Sequence, residues 1–284
     1  MDFTRIKIIF TDLDGTLLPS DGEVSDCLLR GIERLAERGV LVVPTTGRSF
    51  GATNEKLRNC PHLRYMICSN GAVCYDLVCG EKTEKLLEGE PLERAKRVFL
   101  DYHQLFCVHA DGNDWVPDED RTDEAMDRCE INDYYRSFIK NHTVSCGTRE
   151  DLIKMKRVEF FGGFFKNSED IDSAWARLAE IEGVAVSSAA KNLLEVINPT
   201  AGKGNAVLEL AARLGVSPDE FITVGDSQND ASMMDITPNS FAMESGAEAL
   251  KTLANYIACP GEGGLIEYLE ALTVGSLCPK KANF

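Results

Sequence analysis

Residues 8–16 read Ile8-Ile9-Phe10-Thr11-Asp12-Leu13-Asp14-Gly15-Thr16, and this stretch decides the fold. The apolar, β-branched run at its start predicts a buried strand. Asp12 and Asp14 then stand at the carboxyl end of that strand, where open α/β sheets bind their ligands. Two carboxylates so close together repel each other, and a hard divalent cation is the partner that best compensates them.

Two other interpretations compete for the segment from Asp12 to Gly15. Asp-Gly is a frequent turn dipeptide, so an ordinary turn also fits these residues. An EF-hand loop needs glycine at its sixth position. Gly15 would be the fourth residue of a loop that begins at Asp12, which excludes that motif. The other motifs of the chain must decide whether this segment is an ordinary turn or part of a catalytic site.

The composition is that of a globular protein long enough for two modest domains. The 284 residues are 44% hydrophobic and 27% charged, as in ordinary soluble proteins. No apolar run approaches the ~18 residues of a membrane span. The opening residues MDFTRIKIIF lack the regions of a signal peptide. We therefore expect a cytoplasmic protein that does not enter a membrane.

The charge balance argues against nucleic acid as a partner. The 30 basic residues oppose 46 acidic ones, giving a net charge of −16, whereas nucleic-acid binding needs a basic surface. For the many acids between residues 111 and 133 we expect a solvated loop and helix face rather than a metal cluster. The ten cysteines include no C-x-x-C pair, so we interpret them as free thiols.

Strand and helix patterns alternate over the first 81 residues. A helix that Ser25 caps and Gly39 ends leads to a buried strand at 40–43. A second helix at 50–59 leads to a strand at 65–68. This βαβαβ order predicts a parallel sheet.

The pattern changes between residues 82 and 189 and returns afterwards. The middle region combines helix-like segments at 90–104, 121–140 and 168–182 with strand-like segments near 105–110, 157–165 and 184–188. The first pattern resumes with a strand at 194–197, a helix at 202–214 and a strand at 221–224. We therefore predict an α/β core formed by residues 1–81 and 190–284, split by an inserted α+β domain at 82–189.

A second acidic motif follows the strand at 221–224. Gly225-Asp226 repeats the opening arrangement, and Asp230 adds a further acid. Carboxylates at two strand ends of one parallel sheet can converge on a single cation such as Mg²⁺. A helix cap or an Asx-turn is the alternative for Asp226.

Two more segments place anion-binding groups at helix starts or strand ends. Lys203 stands between two glycines at the start of a helix, which suits an anion. Ile197 and Val207 stand where a Walker loop and a dinucleotide fingerprint need glycine or alanine, so neither motif is present. Thr46-Gly47 offers a hydroxyl and an N–H to an anion. An exposed lysine and an ordinary strand-to-helix turn are the alternatives.

Together these motifs resemble the haloacid-dehalogenase-like superfamily of phosphohydrolases. Asp12-Leu13-Asp14-Gly15-Thr16 is similar to its first motif, Thr46-Gly47-Arg48 to its second, Lys203 to its third and Gly225–Asp230 to its fourth. The run Ser69-Asn70-Gly71-Ala72 and the large insertion are similar to the Cof-like subfamily with a type IIB cap. The resemblance implies a Rossmann-like, three-layer core with a parallel sheet and an inserted α+β cap.

The resemblance also implies catalytic and metal-binding roles. Asp12 would be the nucleophile that forms an aspartyl-phosphate. Asp14 would act as general acid and then as general base, which favours a phosphatase or a phosphomutase. Mg²⁺ would be held by Asp12, the backbone carbonyl of Asp14 and Asp226. Asp230 would support the metal or the lysine.

By the same resemblance, phosphate-binding groups would surround the phosphoryl group. Thr46 and Lys203 would take part in catalysis as well as in phosphate binding. The Gly47 amide would orient phosphoryl oxygens, and Asn229 would lie at the edge of the phosphate.

We therefore expect a Mg²⁺-dependent phosphatase that hydrolyses a small phosphorylated metabolite, with sugar phosphates as the first candidates. In the resembled enzymes the cap closes over the active site and selects the substrate. A hexose phosphomutase of the same superfamily and a non-catalytic ligand-binding protein on the same core are the alternatives. The sequence does not specify the oligomeric state.

Overall fold

The structure, a computed structural model, describes residues 2–19, 22–102, 104–190 and 192–282. The chain forms two compact units. The core unit consists of Met1–Gly47, Asn54–Thr83 and Gly202–Phe284, and the inserted unit consists of Arg48–Thr53 and Glu84–Ala201. None of the described helices is both long and apolar enough to cross a membrane.

Helices and strands alternate along both units. The strands are β1 (Ile8–Thr11), β2 (Leu41–Pro44), β3 (Tyr65–Cys68), β4 (Val73–Asp76), β5 (Lys82–Glu84), β6 (Leu87–Glu88), β7 (Leu105–Ala110), β8 (Asn113–Val116), β9 (Val144–Ser145), β10 (Arg157–Val158), β11 (Phe160–Phe164), β12 (Ala185–Ala190), β13 (Leu193–Ile197), β14 (Phe221–Gly225), β15 (Ser240–Met243), β16 (Tyr256–Ala258) and β17 (Lys280–Lys281). The helices are α1 (Asp26–Glu37), α2 (Glu55–Arg58), α3 (Gly89–Leu100), α4 (Asp123–Arg128), α5 (Asp133–His142), α6 (Arg149–Ile153), α7 (Ser168–Ala179), α8 (Lys203–Arg213), α9 (Glu248–Leu253) and α10 (Gly264–Thr273).

A largely parallel sheet runs through the core unit in the order β17-β16-β15-β14-β1-β2. β17 pairs antiparallel with β16, and the other neighbours pair in parallel. Thr11 at the end of β1 lies between Val224 and Pro44, so β1, β14 and β2 end at the same level. A parallel bridge between Thr45 and Ile67 joins β3 to the loop after β2. The loops that follow these four strands therefore share one edge, where ligands of α/β sheets bind.

Buried apolar side chains attach α8 to this sheet. Ile8 and Phe10 of β1 pack with Val207 and Leu210 of α8 in one hydrophobic cluster. Because side chains alternate between the two faces of a strand, Ile8 and Phe10 cover the same face. Their burial fixes α8, and with it Lys203 at the helix start, against the central strand.

The first helix begins and ends where the sequence predicts. The Ser25 hydroxyl oxygen accepts a hydrogen bond from the Leu28 N–H at 3.1 Å, which satisfies one of the donors that a helix start leaves unpaired. Gly39 follows the helix in a left-handed conformation, with φ 79°. α1 packs so closely on α10 that a Cβ on Gly31 would lie 2.6 Å from the side chain of Ile266.

The inserted unit contains a mostly antiparallel sheet in the order β12-β13-β11-β7-β8-β9. One buried cluster joins Phe106 of β7 and Phe161 of β11 to Phe99 of α3 and Leu178 of α7. A second cluster, which includes Leu105 and Phe164, contains residues of α4 and α5. The α/β core and the α+β character of the insertion agree with the predicted fold class.

Two predicted helices are shorter than the sequence pattern suggests. Only Glu55–Arg58 of the segment 50–59 is helical, because the Asn54 side chain accepts from the Lys56 N–H and starts the helix there. The segment 121–140 is broken into α4 and α5. Glu130 takes a left-handed φ of 49° between them, and Asn132 caps the second helix.

The strand at 194–197 lies in the inserted unit and not in the core where the sequence pattern placed it. β13 pairs antiparallel with β11 and β12. The inserted unit therefore extends to Ala201, beyond the expected boundary at residue 189, and it also takes up Arg48–Thr53. A short, largely apolar run such as that of β13 occurs in both parallel and antiparallel sheets, so the sequence could not assign its partners.

Candidate active site

Asp12 and Asp226 follow two neighbouring strands of the core sheet. The Asp12 N–H donates to the Val224 carbonyl oxygen at 2.9 Å, which extends the pairing of β1 with β14 past the end of β1. Asp226 comes directly after Gly225, the last residue of β14. Asp12 is buried and Asp226 is half-buried. The structure thus brings the two acids together at the carboxyl edge of the sheet.

Lys203 joins two of the acids through a buried ammonium group. Its Nζ donates to Oδ1 of Asp12 at 2.7 Å and to Oδ1 of Asp230 at 2.6 Å. Gly204 lets the start of α8 pack against Ser232, because a Cβ on Gly204 would overlap the Ser232 carbonyl oxygen. Lys203 is therefore not the exposed first-turn lysine of the alternative interpretation.

Asp230 uses both of its carboxylate oxygens inside the site. Oδ1 accepts from Lys203, and Oδ2 accepts from the backbone N–H groups of Asp226 at 3.0 Å and Ser227 at 3.1 Å. The side chain is fully buried. Asp230 therefore ties the loop after β14 to the start of α8 and holds the Lys203 ammonium in place.

Two residues of the first motif, Gly15 and Thr16, fix the position of the Asp226 carboxylate. Thr16 Oγ1 donates to Asp226 Oδ1 at 3.1 Å. Gly15 has a φ of +75°, and a Cβ on it would lie 2.6 Å from Asp226 Oδ2. Only glycine combines this backbone conformation with so close an approach. The Asp-Gly turn is therefore present, and it serves the acidic site.

The surroundings shift the pKa values of the charged groups in different directions. Burial raises the pKa of Asp12, and the charge of Lys203 opposes this effect. Burial acts to lower the pKa of Lys203, but Asp12 and Asp230 outweigh it and raise that pKa above its ordinary value. Burial and the charge of Asp230 raise the pKa of Asp226 to about 6. Lys203 is thus a cation at neutral pH.

The donor atoms suit a hard divalent cation. Among the described residues, Asp12, Asp226 and Asp230 each present a carboxylate oxygen within 4.8 Å of the others. Three carboxylates and one ammonium leave two formal negative charges uncompensated. Hard cations such as Mg²⁺ and Ca²⁺ take oxygen ligands, whereas zinc sites use mainly nitrogen and sulfur. The chemistry of the set therefore fits the metal that the sequence predicts for this position.

Thr46 and Gly47 lie on the loop that follows β2. The Thr46 N–H donates to the Ile67 carbonyl oxygen at 2.9 Å, and the Thr46 carbonyl oxygen accepts from the Asn70 N–H at 3.1 Å. A Cβ on Gly47 would lie 3.5 Å from Asn229 Nδ2. The structure therefore places Asn229 beside Gly47, and these two predicted phosphate-binding groups are neighbours.

Asp14 stands apart from the carboxylate cluster. It is half-buried, forms an isolated bridge with Leu18, and is not one of the three grouped acids. Its charge contributes to the raised pKa of Asp226, after burial and the larger effect of Asp230. The two acids of the opening motif therefore occupy different environments.

Sequence reasoning assigned no role to three residues that contact the site. Thr16 donates to Asp226, Ser227 Oγ donates to Asn229 Oδ1 at 2.7 Å, and Asn70 Oδ1 accepts from Asn229 Nδ2 at 3.3 Å. An Asn-Gly pair directly after a strand is a signal for a left-handed turn, which could have singled out Asn70. The side-chain contacts themselves join segments far apart in sequence.

The family assignment comes from comparison with known proteins. The model of the haloacid dehalogenase-like hydrolase family matches residues 9–267, so the chain belongs to this family. Phosphatase YwpJ of Bacillus subtilis is 26% identical, with 89% of this chain and 94% of the relative covered.

Two further relatives are similar along nearly their whole length. The 5-amino-6-(5-phospho-D-ribitylamino)uracil phosphatase YwtE of Bacillus subtilis is 24% identical, with 95% of this chain and 99% of the relative covered. The structure of the HAD subclass IIB sugar phosphatase BT4131 matches with a TM-score of 0.76 at 20% identity, covering 94% of this chain and 99% of that one. The expected family and fold are confirmed, and the chain is a hydrolase of the phosphatase class.

Replacing Gly15 should disturb the candidate cation site through Asp226. In Gly15→Ala the added methyl group must displace the Asp226 carboxylate, which lies 2.6 Å from the Cβ position. We expect Mg²⁺ affinity, measured by titration calorimetry, to fall at least about tenfold, since a displaced ligand is a large loss for a cation of strict geometry. Gly39→Ala is the matched control, because Gly39 has a φ of +79° and nothing within 4 Å of its Cβ position. Unchanged Mg²⁺ affinity in Gly15→Ala would contradict this geometry.

Replacing Asp226 should stabilise the metal-free protein at alkaline pH. The pKa of Asp226 is raised from 3.8 to about 6, so its contribution to stability is complete below pH 3.8 and is lost as the pH rises through 6. Asp226→Asn should therefore unfold at a higher temperature than the wild type at pH 8 in EDTA, with a smaller difference at pH 5. Because Asp226 is partly exposed, we expect a rise of about 2–4 °C.

Asp235→Asn provides the control for this measurement, since Asp235 is an exposed acid of the same unit. Its melting temperature should follow the wild type at both pH values. Mg²⁺ should raise the melting temperature of the wild type and of Asp235→Asn but not that of Asp226→Asn. An Asp226→Asn protein that is no more stable than the wild type in EDTA at pH 8 argues against a surplus of negative charge.

Proposed function

We propose that this chain is a Mg²⁺-dependent phosphatase that hydrolyses a small phosphomonoester through an aspartyl-phosphate on Asp12. The observation that carries the proposal is the buried ion pair of Lys203 with Asp12, beside Asp226 at the neighbouring strand end. A carboxylate held against an ammonium at the edge of a parallel sheet supports a role for Asp12 in attack on an anionic group. Membership in the haloacid dehalogenase-like hydrolase family supports this choice.

Asp12, Asp226 and the Asp14 backbone carbonyl are the proposed metal ligands, with Asp230 supporting them through Lys203. Asp12 and Asp226 belong to the grouped carboxylates, and Asp230 holds the ammonium with one oxygen and the Asp226 backbone with the other. When bound, Mg²⁺ would offset the repulsion between the carboxylates and a phosphate dianion.

Asp12 and Asp14 share the two steps of the proposed reaction. An Asp12 oxygen attacks phosphorus, forming a new P–O bond while the bond to the leaving alkoxide breaks. Asp14, acting as general acid, gives a proton to that alkoxide. Asp14 then removes a proton from water, whose oxygen attacks phosphorus and releases Asp12 and inorganic phosphate. The half-buried position of Asp14 outside the carboxylate cluster suits a group that must exchange protons.

Four groups are proposed to hold the phosphoryl oxygens. Lys203 supplies a fixed positive charge, because its ammonium is buried and doubly paired. The Thr46 hydroxyl, the Gly47 N–H and the Asn229 amide would donate to the remaining oxygens. Donors held in place before the reaction stabilise charge that develops in the transition state.

The proposed substrate is a sugar phosphate or a related polyol phosphate. The relative YwtE is named for a ribitylamino phosphate, and BT4131 is named as a sugar phosphatase. The net charge of −16 disfavours polyanionic substrates. We also propose that the inserted unit is the type IIB cap that selects the substrate and that the enzyme acts in the cytoplasm.

The experiment that tests this proposal is a hydrolysis screen with the whole chain. Phosphorylated sugars, polyols and cofactors are each incubated with Mg²⁺ and, in parallel, with EDTA, and released phosphate is measured. The proposal predicts phosphate release that needs Mg²⁺ and is ranked by kcat/KM in favour of sugar or polyol phosphates. Glucose 1,6-bisphosphate belongs to the panel, because isomerisation of a hexose phosphate in its presence would instead indicate a phosphomutase.

Substitution of the two acids should separate their roles. With p-nitrophenyl phosphate, Asp12→Asn should lower kcat by at least about 10³-fold, since no other group replaces a nucleophile. On a sugar phosphate, whose alkoxide needs a proton, Asp14→Asn should lower kcat by roughly 10²- to 10⁴-fold with little change in KM. Asp235→Asn, an exposed acid, serves as the control. If Asp12→Asn keeps full Mg²⁺-dependent activity, the assignment of the nucleophile is wrong.

A further inference from the structure

The turn after β3 has an unusual backbone. Ser69, Asn70 and Gly71 follow one another with φ values of 50°, 53° and 90°. Left-handed conformations at non-glycine residues cost on the order of 1 kcal/mol or more each and persist where surrounding contacts impose them. All three residues are buried. The contacts of the turn with neighbouring segments must therefore hold this backbone in place.

This turn contacts three of the segments that carry proposed phosphate-binding groups. The Asn70 N–H donates to the Thr46 carbonyl oxygen at 3.1 Å. The Asn70 Oδ1 accepts from Asn229 Nδ2 at 3.3 Å. Gly71 lies so close to the start of α8 that a Cβ on it would overlap the Gly202 carbonyl and lie 2.9 Å from the Lys203 nitrogen.

The contacts of Asn229 define which way its amide group points. Ser227 Oγ donates to Asn229 Oδ1 at 2.7 Å, so the amide nitrogen is the atom that faces Asn70. An amide nitrogen carries two N–H donors. With one directed at Asn70 Oδ1, the second has a defined direction. Asn70 Oδ1 also lies 3.0 Å from the Cβ position of Gly47, which places it between the two loops.

We propose that Asn70 is a positioning residue that sets the Asn229 amide and the Thr46–Gly47 loop for the phosphoryl group. The proposal rests on the proposed function, since it assumes that these loops bind phosphate. Asn70 acts through its neighbours: its side chain orients Asn229, and its backbone N–H holds Thr46. The left-handed conformation of the turn brings both contacts within reach of one residue.

Asn70→Gly tests the contribution of the Asn70 side chain separately from that of the backbone conformation. Glycine adopts a φ of 53° without penalty, so this variant keeps the turn and loses only the amide group. We expect the Kd for inorganic phosphate, measured by titration calorimetry with Mg²⁺ present, to rise about tenfold, as for a lost hydrogen bond to a bound anion. The Kd for Mg²⁺ alone should stay within about twofold, because the grouped carboxylates are those of Asp12, Asp226 and Asp230, whereas Asn70 holds Asn229 and Thr46.

A double-mutant cycle then tests whether Asn70 works through Asn229. Asn229→Ala alone should also weaken phosphate binding. In that background Asn70→Gly should have less than about twofold further effect, since the amide it orients is gone. Two independent losses that multiply would contradict the positioning role.

Glu130→Gly is the matched control for the backbone change. Glu130 has a φ of 49° and lies in the inserted unit, so the variant makes the same kind of replacement away from these loops. Its phosphate Kd should equal that of the wild type. A change as large as that of Asn70→Gly would show that the effect is not specific to Asn70.

Asn70→Asp keeps the proposal testable if Asn70→Gly does not fold. Aspartate tolerates the left-handed conformation and retains an acceptor oxygen, but it brings a negative charge beside the phosphoryl site. The phosphate Kd should therefore rise at least about tenfold, and an unchanged Kd would overturn the placement of Asn70 beside this site.

Hydrolysis of p-nitrophenyl phosphate distinguishes a failure of the positioning role from a failure of the proposed function. If the wild type is active and Asn70→Gly matches it in phosphate Kd and in kcat/KM, the positioning role is wrong and the proposed function stands. If the wild type hydrolyses nothing while Asn70→Gly still weakens phosphate binding, the proposed function is wrong and the positioning role stands.

Discussion

The buried ammonium of Lys203 is the contact on which the site depends. Its partners Asp12 and Asp230 lie 191 and 27 residues away in sequence, on opposite sides of the insertion. Leaving any of these charges buried without its partner would cost on the order of several kcal/mol. The start of α8, the end of β1 and the loop after β14 are therefore held in one arrangement, and a chain divided by more than a hundred residues of inserted sequence still forms a single core.

The positive charge of Lys203 does not balance the negative charge of the grouped carboxylates. One ammonium serves three grouped carboxylates, and the raised pKa of Asp226 reflects burial among like charges. Such an arrangement opposes folding in the absence of a cation, so it makes physical sense as a binding site. Gly15 and Thr16 hold Asp226 in this unfavourable position, which supports a role for both residues in the proposed cation site rather than in stability.

The features of the fold and of the candidate site that could be predicted from sequence depend on local sequence patterns. Strand ends followed by acids placed Asp12 and Asp226, and the glycine-flanked Lys203 marked a helix start. Sheet partners were harder, because β13 has the apolar pattern of a core strand but pairs with β11 and β12. The contact of Asn70 with Asn229 lay beyond sequence reasoning, since it joins side chains 159 residues apart across two loops.

Chemical trapping of phosphorylated Asp12 is a direct test of the proposed nucleophile. The Asp14→Asn variant is mixed with p-nitrophenyl phosphate and Mg²⁺, because p-nitrophenolate leaves without a proton while the hydrolysis of the intermediate lacks its base. Borohydride reduces an acyl phosphate to an alcohol, and peptide mass spectrometry then locates the change. We expect homoserine in place of Asp12. Release of p-nitrophenol with Asp12 unmodified, or reduction at Asp226 or Asp230 instead, would contradict it.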